Sequence, residues 1–292
     1  MKAIVSQPPN FASSGGIAVR TKLHSPLPGF GLSLGITVLW LSLIVLIPLS
    51  AVFVKSVSNG GATFFEAAFS ARALAAYRLS FGAAALAAAI NCLFGLLIAW
   101  VLVRYRFAGR GLLSALIDLP FALPTAVAGI ALTALYADTG ILGRFLVPAG
   151  LPIAYNPAGV VVALTFIGLP FVVRTVEPVL EGISSETEEA ALTLGASRLQ
   201  TFLKVILPAI GPALATGFAL AFARGAGEYG SVIFIAGNMP FKSEIAPLLI
   251  VTQLEEYDYA GAAAIACVML LISFAALLVL NLLQQWQARR LG

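Results

Sequence analysis

Charge is what this sequence has least of. Only 10% of its 292 residues are Asp, Glu, Lys or Arg, while 60% are hydrophobic. Soluble domains carry about 25% charged residues. A chain with this balance cannot clothe itself in a hydrated surface, and its natural solvent is lipid. Histidine occurs once, at His24, which excludes a His-based metal site or proton relay. Cysteine occurs twice, at Cys92 and Cys267, inside apolar runs far apart in sequence. Each reads as a small packing residue rather than half of a disulfide. No G-x-x-x-x-G-K-[ST] occurs, and none of the five lysines follows a glycine, so the chain supplies no phosphate-cradling loop of its own. A covalent catalytic arrangement, a metal motif and a redox pair are missing too. The chain is therefore expected to be no enzyme, to hold no metal and to bind no cofactor itself. No basic stretch is interleaved with aromatics, so the net charge of +4 is not the footprint of a nucleic-acid binder.

What the sequence does have is long apolar runs. A helix needs about 20 such residues to cross a bilayer. Six segments meet or approach that length: 32–54, 79–103, 111–137, 158–176, 210–236 and 259–284. The alternation that marks barrel strands is absent. Helices remain, because backbone groups in lipid must bond within their own segment. The expected fold class is an all-α integral membrane protein with six transmembrane helices. Residues 1–31 are polar and mixed and precede a full-length span, unlike a cleavable signal. They are expected to be a cytoplasmic tail. The first span and its outer loop then occupy 32–75, the remaining five spans 76–284, and a second cytoplasmic tail 285–292.

Orientation follows from Lys and Arg, which favour the cytoplasmic side. With the N-terminus inside, the inner segments hold Lys2, Arg20, Lys22, Arg104, Arg106, Arg110, Arg174, Arg198, Lys204, Arg289 and Arg290, and the outer loops hold Lys55, Arg72, Arg78, Arg144 and Lys242. Eleven against five favours that orientation, and both termini are placed in the cytoplasm.

Residues 181–212 are polar yet lie between two spans on the inner side. Ser185-Glu186-Thr187-Glu188 and Ser197-Arg198-Leu199-Gln200 both have capping-box spacing, in which Ser and Glu or Gln satisfy each other's helix-end amides. Gly195 suits a left-handed stop between them, and Pro208 is expected to end or kink the second helix. Glu189-Ala190-Ala191, then three residues and Gly195, then nine residues and Val205-Ile206-Leu207-Pro208 resemble the EAA signature of permeases in binding-protein-dependent ABC importers. Val205 stands where that family usually has Ile. The resemblance implies a coupling helix docking on an ATPase subunit over 181–209, with Glu189, Ala190, Ala191 and Gly195 at the contact.

The likeness extends over 76–284, which resembles the whole membrane domain of a type I ABC importer. Asp118-Leu119-Pro120-Phe121-Ala122-Leu123-Pro124-Thr125-Ala126-Val127-Ala128-Gly129 is similar to the third span of sulfate/thiosulfate permeases of the T type. Arg224-Gly225-Ala226-Gly227-Glu228-Tyr229-Gly230-Ser231 and the following Val232-Ile233-Phe234-Ile235-Ala236-Gly237-Asn238 are similar to the same subunit, and molybdate permeases share a shorter form. The family implies two copies of an ATP-binding subunit carrying ATP and Mg, a homologous W-type permease, an extracytoplasmic sulfate/thiosulfate-binding protein, and a place in the inner membrane. Molybdate or tungstate is the alternative cargo.

The residues point to the same region independently. Arg224 and Glu228 stand four apart in an apolar run. A charge at mid-membrane costs about 2.5–3.5 kcal/mol on insertion scales, and such residues usually serve function. They read either as a neutralising pair that packs helices or as the border of a translocation path. Gly225, Gly227 and Gly230 thin this helix or let it unwind, so that backbone amides and Ser231 meet an anion. Pro120, Pro124 and Thr125 are the matching candidates in the third span, where a proline kink is also often purely structural. A secondary anion transporter would show two related halves, which this sequence does not. A membrane enzyme would need titratable groups clustered at one depth, and only Asp118, Arg224 and Glu228 qualify.

Overall fold

The computed structural model describes residues 30–291, so the tail expected over 1–31 lies outside it except for its last two residues. The chain divides into two compact units, 1–48 and 49–292. Among the described residues all regular structure is helical.

Phe30–Leu41 (α1) continues through one wide π turn, Ser42–Leu46, into Ile47–Ser56 (α2). These 27 residues form one apolar span, about 40 Å long at 1.5 Å per residue. The wide turn has a cause. The Ile47 amide donates to Ser42 five residues back, immediately before Pro48. A proline lacks the amide and its ring crowds the carbonyl four residues earlier, and a wider turn gives that carbonyl room. The same device recurs before Pro208, where the Leu207 amide donates to Phe202. Arg198–Thr201 (α10), the wide turn Phe202–Ile206 and Leu207–Ala226 (α11) thereby make one 29-residue span. Of the two outcomes expected at Pro208, an end or a kink, the structure excludes the end: the helix continues through the wide turn.

The second unit adds Gly61–Ala68 (α3), Ala71–Arg104 (α4), Arg110–Ala122 (α5), Thr125–Tyr136 (α6), Gly143–Leu146 (α7), Pro157–Gly182 (α8), Ser185–Thr193 (α9), Val232–Ile235 (α12), Ala246–Glu255 (α13) and Tyr259–Leu291 (α14). The span expected over 79–103 starts eight residues earlier, where the Ser70 hydroxyl accepts the Ala73 amide at 3.1 Å. The run 111–137 is not one continuous helix: α5 and α6 meet at 114°. The run 210–236 also differs, since its helix starts at Arg198 and stops at Ala226.

α4, α8 and α11 form the core, and their register can be read from close approaches. Asn91 lies opposite Gly168, Gly95 opposite Val172, and Arg104 reaches the Ile183 carbonyl, so α4 and α8 run parallel. Gly217 meets Val172, while Gly225 meets Ala84 and Leu164, so α11 runs antiparallel to both. Ala84, Ala87, Ala88, Val172, Val173, Val176 and Ile210 fill the interface with at most 2% exposure. Small residues suit helices in lipid, where association depends on close van der Waals packing. α14 packs alongside: the Tyr77 hydroxyl donates to the Ile265 carbonyl at 3.2 Å and Gln284 Nε2 to the Ala215 carbonyl at 3.0 Å.

Candidate functional site: a broken span against a glycine loop, and a capped inner loop

α11 unwinds where the sequence turns to Gly227-Glu228-Tyr229-Gly230-Ser231. The Glu228 amide donates to the Gly225 carbonyl at 3.1 Å and the chain leaves the helix. Arg224 therefore sits in the last turn and Glu228 beyond it, so the two residues four apart in the apolar run do not share one helix. Glu228 is 2% exposed. One carboxylate oxygen accepts the Ser231 amide at 2.9 Å and the Ser231 hydroxyl at 3.1 Å, and the other pairs with Arg224 Nη1. The Arg224 side chain keeps 36% of its surface open. The two charges thus have unequal roles. Glu228 ties the loop from inside, and Arg224 presents its guanidinium outward.

Opposite this loop stands the break in the bent pair. Leu123 is extended (φ −86°, ψ 136°), as the residue before a proline prefers, and α6 restarts at Thr125. A Cβ at Gly230 would lie 2.2 Å from Thr125 Oγ1, and a Cβ at Gly129 would lie 2.3 Å from the Ser231 carbonyl oxygen. At Gly129 two backbones touch with no room for a side chain, and at Gly230 the backbone lies against the Thr125 side chain. Pro124, Thr125, Gly230 and Ser231 are brought together, with Arg224 and Glu228 directly behind. Gly225 makes only ordinary contact with Ala84, Gly227 faces open space, and Pro120 stays inside α5. Gly129 is the partner that the residue-by-residue reading missed. Its signal was only a small residue one turn into a helix that follows a break.

A second charged cluster was also missed as a unit. Arg174 of α8 donates through Nε to Asp118 at 2.9 Å, through Nη1 to Glu177 at 2.6 Å, and through Nη2 to Asp118 and to the Ser114 hydroxyl at 2.8 Å. It binds α5 to α8. The hint was one Asp and one Arg in separate apolar runs, since buried charges seek each other.

The inner loop is built largely as its sequence dictates. Ser197 accepts the Gln200 amide at 3.3 Å and Gln200 Oε1 accepts the Ser197 amide at 2.8 Å, so the second capping box forms. The first does not. Helix α9 is capped at Ser184, whose side chain takes no helix amide but lies 3.2 Å from the Thr187 hydroxyl. Glu188 turns away to Arg104 Nη2 at 2.6 Å. Gly195 has φ +83°. Its amide donates to Leu192 and that of Ala196 to Ala191, at 3.0 and 3.1 Å, the paired bonds of a Schellman stop. Glu189, Ala190 and Gly195 are exposed and Ala191 half-buried. Leu194, at the bend, is 89% exposed. Arg104 holds the loop from α4, donating to the Ile183 carbonyl at 3.3 Å and stacking over Trp100 at 5.6 Å.

A bundle of apolar spans, one broken against a glycine loop, with a rigid capped helix pair outside the bundle, defines a helical membrane permease. Residues 91–292 match the family model of the binding-protein-dependent transport system inner membrane component, and the chain belongs to that family. It is 50% identical to the sulfate transport system permease protein CysT of Salmonella typhimurium over 264 residues, 90% of this chain and 95% of that protein. It is 49% identical to the corresponding proteins of Escherichia coli (90% and 95% covered) and Synechocystis sp. (87% and 89%). Its fold matches a crystal structure of a bacterial ABC transporter importing the acidic polysaccharide alginate, with TM-score 0.71 at 16% identity over 87% of this chain and 94% of that one. A second structure of a bacterial alginate ABC transporter, in complex with a pentasaccharide-bound periplasmic protein, gives 0.67 at 18%, covering 89% and 93%. The fold is that of a type I ABC importer permease, and the chain is a multi-pass inner membrane transport subunit.

Proposed function

We propose that this chain is the T-type permease subunit of an ATP-driven importer of sulfate or thiosulfate. The observation that carries the reading is the 50% identity to a sulfate permease along 90% of the chain. It favours sulfate over the molybdate or tungstate alternative. The subunit pairs with a W-type homologue and with two copies of an ATPase that hold ATP and Mg. It receives its anion from an extracytoplasmic binding protein. Both termini are cytoplasmic, and the transport module occupies 76–284.

Glu189, Ala190, Ala191 and Gly195 form the contact with the ATPase. The loop suits that task, because two capped helices joined by a left-handed glycine transmit a push without bending. The anion path runs past Arg224, Gly225, Gly227, Glu228 and Ser231 on one side and Pro120, Pro124 and Thr125 on the other. Sulfate carries two charges and a tightly held water shell. Conduction needs binding weak enough to release, and an Arg half-neutralised by Glu228 supplies a mild site, with hydroxyls and loop amides nearby. The test is uptake of labelled sulfate into vesicles holding the reconstituted importer and loaded with ATP. Uptake that needs ATP and binding protein, and yields to excess thiosulfate but not molybdate, is expected. Competition by molybdate at equal concentration would reassign the cargo.

A further inference from the structure

A cleft of about 630 Å³ in the second unit shares no lining residue with the candidate path. It is lined by the first half of α4, the start of α8 and the loop before α13. Its lining is of two kinds. Arg78 and Lys242 both line it and are exposed, and neither side chain has an ion pair or hydrogen bond among the described residues. Glu244 also lines it, but that carboxylate is only 1% exposed and is taken by Arg72 at 2.6 and 2.8 Å. The polar part of the lining is therefore doubly cationic. The rest is apolar: Leu79, Gly82, Ala83 and Leu86 descend along one face of α4, with Val161 of α8 beside them.

Depth fits this division. α4 has 34 residues, of which about 20 cross the hydrocarbon core, leaving about seven at each end. Arg78 is the eighth residue of α4 and falls at the boundary. From Arg78 to Leu86 the face runs about 12 Å at 1.5 Å per residue, within the roughly 15 Å depth of one leaflet. Phe241, 66% exposed beside Lys242, adds a further apolar side chain to the lining.

We propose that this cleft binds an anionic phospholipid, its phosphate between Arg78 and Lys242 and one acyl chain along Leu79, Gly82, Ala83 and Leu86. A free oxyanion would use the cations but has no use for the apolar trough, which is why a lipid is the occupant. The site would hold a lipid as an integral part of the bundle, bridging α4, α8 and the loop before α13.

The test is native mass spectrometry of the assembled importer, titrated with phosphatidylglycerol or phosphatidylcholine. Wild type should retain phosphatidylglycerol preferentially. Arg78→Ala with Lys242→Ala should weaken it about thirty-fold, since each surface cation is worth about 1 kcal/mol, and leave phosphatidylcholine unchanged. The exchange Arg78→Lys with Lys242→Arg should retain it. Leu86→Trp keeps both charges but blocks the trough, and should also reduce retention. Unchanged phosphatidylglycerol binding in both the double alanine and the tryptophan variant overturns the proposal. So does millimolar inorganic sulfate displacing the lipid while Leu86→Trp binds normally, which would mark a small-anion site.

Discussion

Arg224 and Glu228 stand out in the sequence as charges in an apolar run, but their division of labour does not. It depends on where α11 stops and on how the chain beyond packs, with the Ser231 backbone against Gly129, about a hundred residues earlier. Arg224→Ala removes the exposed partner and leaves a carboxylate, 2% exposed, held only by Ser231. Uptake should fall at least tenfold. If Arg224 borders the path, ATP hydrolysis driven by loaded binding protein should persist, and parallel loss of both activities would mark a packing pair instead. Glu228→Ala combined with Arg224→Ala should recover part of the uptake. The glycines are separable by the same geometry. Gly129→Ala places a methyl 2.3 Å from a carbonyl oxygen in backbone that cannot rotate away. Overpacking of this kind costs about 1–3 kcal/mol, so thermal stability and uptake should both drop. Gly230→Ala meets Thr125 Oγ1, a side chain that can change rotamer, and should be milder. Gly227→Ala meets nothing within 4 Å at φ −95° and should match wild type in a melting assay.

Elements were legible where one local rule decides them and obscure where several compete. Hydropathy located every span, yet it runs unbroken through Leu123–Pro124 and could not show the 114° bend. Proline alone was no guide either. Pro48, Pro120, Pro170, Pro178, Pro208 and Pro212 all sit within helices, two of them just after a wide turn that accommodates them. The inner loop was more readable, because capping is local. Even there Glu188 left its expected box for Arg104, a partner that only tertiary structure supplies. Gly195→Asp tests the loop as an element. It puts a side chain at φ +83°, where L residues are strained, and a charge into the proposed ATPase contact. Uptake and stimulated hydrolysis should both vanish while membrane insertion, read by blotting of the membrane fraction, stays normal. Gly195→Asn tolerates the left-handed region better and should retain more activity. Equal loss in both variants would detach the effect from backbone strain.

For the whole molecule the sequence offers one long-range signal, the bias of Lys and Arg, and its weak point was three cations in the first outer loop. The structure accounts for one of them. Arg72 is bound by the buried Glu244 through two hydrogen bonds, so it acts as a structural ion pair. Lys55 and Arg78 remain, against Arg104, Arg106 and Arg110 clustered in one short connection on the other side. The same structure chooses better probes for the orientation. Glu188 is half-buried against Arg104, whereas Glu186, Asp138 and Glu255 are exposed. Single cysteines at 186, 138 and 255, in a chain lacking Cys92 and Cys267, should therefore report cleanly to an impermeant thiol reagent. Positions 138 and 255 should label in intact cells and position 186 only after permeabilisation. A cysteine at Arg106, exposed between α4 and α5, should follow position 186, because the two connections follow the C-terminal ends of α4 and α8, which run parallel. Labelling of 186 and 106 in intact cells, with 138 and 255 protected, would invert the subunit. The proposed ATPase contact would then face away from the cytoplasm, where no ATP is available to drive it.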